Sequence, residues 1–152
     1  MKIDGGCQCG KITYEAEIDP EKVAICHCTD CQTGSGSAYR TNVPSGKGTF
    51  RLLSGEPRIY VKTAESGNKR AQGFCADCGT PLFSTTETDR QVYVLRDGSI
   101  RQRSELKPRA MGWCRSAQAW ALDINALPQY PKQRPPQSSL HASDRLHVPH
   151  VL

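Results

Sequence analysis

The sequence predicts a mainly β fold, and three observations support that prediction. One segment alternates apolar and polar residues with a period of two, which is typical of a half-buried strand. Many further short strand candidates follow at close spacing, separated by turn residues. No segment shows a long helical period, and no repeat of the solenoid type is present in the sequence. These features together favour a β domain over a helical or α/β domain.

The clearest strand candidate is Lys11–Ile18, with the sequence KITYEAEI. Side chains of successive residues in a strand point to opposite faces of the sheet. Ile12, Tyr14, Ala16 and Ile18 would therefore share one face, and the charged and polar residues between them would share the other. We expect the first face to lie against the core.

Seven shorter strand candidates follow this segment. They are Val23–Ile25, Ala38–Val43, Thr49–Leu53, Arg58–Lys62, Pro81–Ser84, Gln91–Arg96 and Ala117–Ile124. Clusters of glycine, proline, serine, asparagine and aspartate separate them and are typical of turns. These turns are Pro44–Gly46, Ser54–Pro57, Ser66–Asn68 and Asp97–Ser99.

The composition changes after Leu127, and we expect the domain to comprise residues 1–127. Residues 128–152 contain five prolines and few large apolar side chains. Such a segment cannot bury enough apolar surface to fold by itself, so we predict an extended or disordered tail. Its histidines, His141, His147 and His150, lack the compact spacing of metal ligands.

The bulk composition indicates a small core that needs cross-links. Of the 152 residues, 37% are hydrophobic and 7% aromatic, and eight are cysteines. The N-terminus has no apolar run after Lys2, and no segment reaches the ~20 apolar residues of a membrane span. We therefore predict a cytoplasmic protein without membrane contact, in which grouped cysteines bind metal rather than form disulfides.

The net charge of +5 is scattered along the chain. No run of lysine and arginine reaches the five to eight residues typical of a nucleic-acid-binding patch. Nucleic acid is therefore not the expected partner, and the sequence does not indicate an oligomeric state.

The cysteines form three clusters and one single residue. The clusters are Cys7-Gln8-Cys9, Cys26-His27-Cys28-Thr29-Asp30-Cys31 and Cys75-Ala76-Asp77-Cys78, and the single residue is Cys114. Two thiols separated by one or two residues can reach one ion, as in zinc knuckles.

Two groupings of these thiols are compatible with their spacing. In the first, the CxC and CxxC clusters supply the four thiolates of a closed structural zinc site, which leaves Cys26, Cys28 and Cys31 as an open one. In the second, Cys7, Cys9, Cys26 and Cys28 form the closed site, leaving Cys31, Cys75 and Cys78. Catalytic zinc sites keep an open coordination position for water or substrate.

Other interpretations of the thiols remain open at this point. All seven clustered cysteines could be structural, with His27 or a distant group completing the second site. A thioredoxin-like use of Cys75 and Cys78 is disfavoured because no βαβ pattern surrounds them. His27 lies between two ligands, so its ring would point away from their ion, either as a bystander or as a proton shuttle. We expect Cys114 to be a buried, inert thiol rather than a fourth ligand.

The ordered clusters resemble those of a known family. GGCQCGKITYEA, CHCTDCQTGSGSAYRTNV and GFCADCGTPLF are similar to segments of the glutathione-dependent formaldehyde-activating enzyme family, which includes the centromere protein V relatives. The resemblance covers about residues 3–122. It implies an all-β, Mss4-like fold of several coiled antiparallel sheets organised around zinc.

The resemblance also implies the roles of the cysteines. Cys7, Cys9, Cys75 and Cys78 would hold a structural zinc, and Cys26, Cys28 and Cys31 a second, catalytic zinc. The implied reaction is the addition of glutathione to formaldehyde, with carbon–sulfur lyase activity in reverse. The implied cofactors are therefore two zinc ions per chain, with glutathione as co-substrate and a small aldehyde as partner.

Glutathione carries two carboxylates, and arginine or lysine side chains would bind them. The candidates near the expected site are Arg40, Arg58, Lys69 and Arg70. Two other functions compete with the enzyme: a binding module in which both zincs only stabilise the fold, and a zinc or redox sensor.

Overall fold

The computed structural model describes residues 1–125 and 127–136, and the histidines of the tail lie outside this range. The described part contains ten β-strands and one α-helix, together with short 3₁₀ turns. The strands are β1 Lys2–Gly6, β2 Thr13–Glu17, β3 Ala24–Cys26, β4 Arg40–Pro44, β5 Arg51–Ser54, β6 Arg58–Thr63, β7 Lys69–Phe74, β8 Pro81–Thr86, β9 Val94–Arg96 and β10 Ala110–Gly112. The helix is α1 Thr29–Ser35.

The strands form two sheets. A three-stranded sheet has the order β1-β2-β5, and a seven-stranded sheet has the order β10-β3-β4-β9-β8-β7-β6. The prediction of a mainly β fold is confirmed. The sheets are not purely antiparallel, however, because β10 pairs with β3 in parallel. No hairpin joins these two strands, so no tight turn imposes the antiparallel direction.

The predicted alternation of the first strand candidate is confirmed. Ile12, Tyr14, Ala16 and Ile18 are all buried, and Tyr14 is fully enclosed. They belong to one core cluster that also contains Val43, Leu82, Phe83 and Leu95 of the large sheet. The core therefore lies between the small sheet and one face of the large sheet.

The large sheet has one apolar and one polar face. Directly paired residues share a face, and residues two apart in a strand return to it. The strand registers consequently place Val43, Phe83 and Leu95 on one face and most of the polar residues on the other. The polar face carries Cys26, Arg40, Asn42, Arg96, Ser84, Gln72, Arg70 and Lys62.

Two sequence predictions differ from the structure. First, strands β1, β7 and β10 and helix α1 were not among the predicted elements, since none of them shows a clear alternation of large apolar residues. The predicted strand Ala117–Ile124 is wrong, because Ala119–Leu122 forms a 3₁₀ turn. Its short alternation of apolar residues does not distinguish a strand from such a turn.

Residues Met1–Gln118 form one compact unit, and a second unit begins at Ala119. The predicted boundary at residue 127 stays a prediction, and the part of the tail described, 128–136, contains neither helix nor strand. Within the described residues, no helix has both the length and the apolar character needed to cross a membrane.

We expect Gly73→Ala to destabilise the fold. Gly73 of β7 is paired with Phe83 of β8, and a Cβ at this position would lie 2.3 Å from the Phe83 ring. Overpacking of this kind costs about 1–3 kcal/mol. Chemical denaturation would measure the loss, with Gly98→Ala as control because a Cβ there meets no atom within 4 Å. Equal stability of both variants would contradict the packing described.

Candidate metal centres

The first cysteine group joins two turns that are distant in the sequence. Cys7 and Cys9 follow β1, and Cys75 and Cys78 follow β7. Each turn ends at a glycine with positive φ, 78° at Gly10 and 72° at Gly79. A residue with a side chain would be strained in that conformation, which explains why glycine follows each pair. All four sulfur atoms lie within 4.8 Å of one another.

The sulfur geometry of this four-cysteine group fits a tetrahedral zinc ion. Zn–S bonds of about 2.3 Å in a tetrahedron place the sulfurs about 3.8 Å apart. The distance is 3.4 Å between the Sγ atoms of Cys7 and Cys9, and 3.7 Å between those of Cys9 and Cys75. The Ile12 backbone N–H donates a hydrogen bond to Cys7 Sγ at 3.3 Å. This hydrogen bond favours the thiolate form of Cys7.

Thr80 stabilises the charged form of Cys78. Its Oγ1 lies 3.1 Å from Cys78 Sγ and accepts a hydrogen bond from the Gln8 backbone N–H. Hydrogen bonding from the Thr80 side chain, and then from its backbone, lowers the pKa of Cys78 to about 5. A thiolate is therefore available at neutral pH for a cation in the four-cysteine group.

The second cysteine group consists of Cys26, Cys28 and Cys31, whose sulfurs also lie within 4.8 Å of one another. Within residues 1–125 and 127–136, no fourth histidine, cysteine, aspartate or glutamate ligand joins this three-cysteine group. All three residues are partly exposed, so small molecules can reach the group. Its donor set suits a zinc ion with one coordination position left open.

Helix α1 sets the positions of the three-cysteine group. Cys28 is its N-cap, and the Cys28 sulfur accepts a hydrogen bond from the Cys31 backbone N–H at 3.4 Å. Gly36 ends the helix in the left-handed region, with φ of 64°. The glycine- and serine-containing segment after Cys31 therefore completes and caps a short helix.

Burial favours the protonated form of two thiols in the three-cysteine group, Cys26 and Cys31. It raises the pKa of Cys26 to about 12 and also raises the pKa of Cys31. A metal ion must displace these protons, so its binding would release protons to solvent.

His27 lies between two of these cysteines but is only 1% exposed. Its ring packs edge-on against Tyr39, with the ring centroids 5.7 Å apart. Neither ring nitrogen has a hydrogen-bond partner in the described structure. His27 does not belong to either cysteine group, so the interpretation in which it completes the second site finds no support in this geometry.

The expectation that Cys114 is buried is wrong. Its side chain is exposed, and it belongs to neither group within the described chain. The neighbouring Trp113 is also 43% exposed, because the turn that begins there projects both residues to solvent.

The structure separates the four predicted carboxylate-binding residues. Arg40 is only 7% exposed and is paired across the sheet with Cys26. Arg70 is partly buried on the same polar face. Arg58 is exposed on the edge strand β6, and Lys69 forms an ion pair with Glu87 at 3.5 Å.

Arg96 is a buried arginine that sequence reasoning missed. It is 8% exposed, and its Nη1 donates to Asn42 Oδ1 at 2.5 Å. Desolvation, followed by the nearby charge of Arg40, lowers its pKa to about 9. The only sequence signal was an arginine next to the apolar Leu95 in a strand candidate, a pattern that many surface residues share.

The comparison with known families agrees with this arrangement of cysteines. The profile of the family described as glutathione-dependent formaldehyde-activating enzyme matches residues 2–116, which is most of the chain. The chain belongs to this family. All seven clustered cysteines of the two groups fall within the matched region.

Two relatives extend the comparison. A Schizosaccharomyces pombe protein named as an uncharacterized lyase is 26% identical over 98 residues, which cover 62% of this chain. The match spans 65% of that yeast protein, just under two thirds of its length. The crystal structure of a Rhodobacter sphaeroides protein superposes with a TM-score of 0.54 at 15% identity, covering 71% of this chain and 98% of the other. That likeness shows the fold.

Proposed function

We propose that this family member is a zinc-dependent carbon–sulfur lyase-type enzyme that forms and cleaves the adduct of a small-molecule thiol and an aldehyde. The family description suggests glutathione and formaldehyde, whose adduct is S-hydroxymethylglutathione. One observation carries the proposal: within the described residues three sulfurs gather without a fourth protein ligand, and a separate group has four.

The proposal assigns a different role to each group. The four-cysteine group would hold a structural zinc that fastens the turn after β1 to the turn after β7. Cys26, Cys28 and Cys31 would hold a second zinc with an open position. The proposal also includes an Mss4-like arrangement of coiled sheets around zinc and a cytoplasmic location, where thiols remain reduced.

A zinc ion in such a site lowers the pKa of a bound thiol and polarises a carbonyl oxygen. The chain contributes the geometry. Helix α1 holds Cys28 and Cys31 in place through the N-cap hydrogen bond. Gln32 secures the helix, since its Nε2 donates to the His27 carbonyl at 2.7 Å and to the Ser116 carbonyl at 2.9 Å. His27 stays a proposed proton carrier, with Nδ1 or Nε2 as the accepting atom.

The proposed reaction balances without a further reactant. In the forward direction the thiol sulfur attacks the aldehyde carbon, a C–S bond forms and the C=O π bond breaks. The carbonyl oxygen takes up a proton equivalent to the one that the thiol loses. In the reverse direction the hydroxyl proton leaves, the C–S bond breaks, and thiol and aldehyde are released.

Exchange NMR would test the proposal. ¹³C-formaldehyde and its glutathione adduct interconvert in buffer, and the zinc-loaded protein should raise the exchange rate above that background. A rate equal to that of buffer, with glutathione and with other thiols and aldehydes, would contradict the enzyme assignment. The alternatives of a binding module or a zinc sensor would then take precedence.

We expect a chelator to remove the two zinc ions in sequence. The second site has one protein ligand fewer and an open position through which a chelator can attack. Mild chelation should therefore reduce the zinc content from two to one per chain while the circular dichroism spectrum stays unchanged. Simultaneous loss of both ions with unfolding would contradict the assignment of separate roles.

A further inference from the structure

Three arginines share the polar face of the large sheet with Cys26. Cys26 is paired with Arg40 between β3 and β4, and Asn42 with Arg96 between β4 and β9. Residues two apart in a strand lie on the same face, so Cys26, Arg40 and Arg96 all lie on the polar face. The registers through β8 and β7 bring Arg70 to that face as well.

Among the residues that the structure describes, these arginines lack acidic partners. In the described part of the chain, no carboxylate forms an ion pair with Arg40, Arg70 or Arg96. Lys62 of β6, on the same face, does have an acidic partner, since it forms an ion pair with Asp30 of α1. Arg40 and Arg96 are therefore deeply buried cations to which no acidic residue of the described chain supplies a counter-charge.

The backbone of helix α1 positions the Arg40 guanidinium. Gly34 lies one turn after Cys31, and a Cβ at Gly34 would approach Arg40 Nη2 to 2.5 Å. The guanidinium thus rests against the helix that carries Cys31. The pairing of Arg40 with Cys26 and this contact with α1 place Arg40 next to the three-cysteine group, and Arg96 lies on the neighbouring strand β9.

An open cleft of about 620 Å³ begins at these arginines. Arg40, Arg96, Tyr39 and Ser37 are among its lining residues, and its size suits a small ligand. Asp97 is the one acidic residue among those that line it. The cysteines of the three-cysteine group do not line the cleft, whereas Cys78 of the four-cysteine group does.

The arginines and the zinc-loaded three-cysteine group together carry a net positive charge that an anion can neutralise. A zinc ion with three thiolates has a net charge of −1, which offsets one of the three arginines. Burying an unpaired charge costs free energy, and proteins retain such a charge where a ligand of opposite charge binds to it. A guanidinium presents its N–H groups as a planar fork that matches a carboxylate.

We propose that Arg40 and Arg96 form an anion subsite that selects thiols carrying a carboxylate a few bonds away from the sulfur. This subsite extends the proposed function. The claim that the bound anion belongs to a thiol rests on that proposed function. A carboxylate held at the arginines places the sulfur of the same molecule towards Cys26, Cys28 and Cys31. Neutral thiols of the same reactivity lack this anchor.

Calorimetry with S-methylglutathione tests the subsite separately from the chemistry. This probe keeps both carboxylates of glutathione but cannot supply a thiolate. We expect Arg40→Gln and Arg96→Gln to weaken its binding to the zinc-loaded protein about 10- to 100-fold, the usual effect of losing hydrogen bonds to a charged group. Arg51→Gln is the matched control, since Arg51 is exposed on the small sheet and paired with Glu15. It should bind as the unmodified protein does.

A structural role would give a different result. Removal of an arginine that only stabilises the fold would lower the melting temperature, whereas removal of an unpaired buried cation should leave it unchanged or raise it. Gly34→Ala keeps both arginines and improves the helix, yet its Cβ displaces the Arg40 guanidinium. We expect this variant to lose affinity several-fold without loss of stability.

The outcomes distinguish this subsite from the proposed function. Arginine-dependent binding without any catalysed exchange would support the subsite and overturn the lyase proposal. Catalysed exchange that is equally efficient with glutathione and with 2-mercaptoethanol, and unaffected in the arginine variants, would overturn the subsite alone. Failure of the unmodified protein to bind S-methylglutathione at millimolar concentration would also overturn the subsite.

Discussion

A Cys75→Ser variant is expected to lose its cooperative unfolding transition. Cys75 is 1% exposed and lies in the core cluster as well as in the four-cysteine group. Structural zinc sites contribute roughly 10 kcal/mol to folding, which is comparable to the entire stability of a small domain. The cross-link also spans the 65 residues from Gly10 to Phe74, so its loss frees a long segment of the chain.

Thermal unfolding followed by circular dichroism would measure this effect, with zinc content determined on the same sample. Cys114→Ser is the matched control, because Cys114 is exposed and belongs to neither group in the described chain. The control should melt like the unmodified protein and retain both zinc ions. A Cys75→Ser protein that melts within a few degrees of the control would contradict the structural role of the four-cysteine group.

A Cys28→Ser variant should stay folded but lose the second zinc and the catalysed exchange. The Cys28 sulfur is a ligand in the proposed site and also caps helix α1. Serine is a favourable N-cap residue, so the substitution removes the ligand while it preserves the cap. We therefore expect a zinc content near one per chain and an exchange rate equal to that of buffer, with little change in melting temperature.

The same exchange NMR assay and elemental analysis would check this expectation, again with Cys114→Ser as control. A Cys28→Ser protein that keeps the full exchange rate would show that the three-cysteine group is not the reaction centre. One that unfolds like Cys75→Ser would instead assign it a structural role.

Much of the fold and of the thiol chemistry could be predicted from local patterns. The period-two segment around Tyr14 indicated a buried strand, because burial of alternate residues depends only on the pleat. The short spacing within CQC, CHCTDC and CADC indicated metal ligands, since two thiols so close in the sequence can reach the same ion. Both inferences depend on residues within a few positions of one another.

Features that depend on distant pairing could not be predicted in the same way. Spacing alone left two groupings of the cysteines open, and the structure gathers Cys7 and Cys9 with Cys75 and Cys78. Arg96 was missed for a related reason. Its proximity to Cys26 results from the registers of β3 with β4 and of β4 with β9, and register is not visible in a single strand.

The central claim is that the three-cysteine group becomes catalytic when it holds the second zinc. The most direct test is a zinc titration. Metal-free protein is first refolded with one equivalent of zinc. Further zinc is then added stepwise while the formaldehyde–glutathione exchange rate is followed by NMR. We predict no rate above buffer at one equivalent and a linear rise to a plateau at two. A full rate at one equivalent, or a rate equal to that of buffer at two, would contradict the claim.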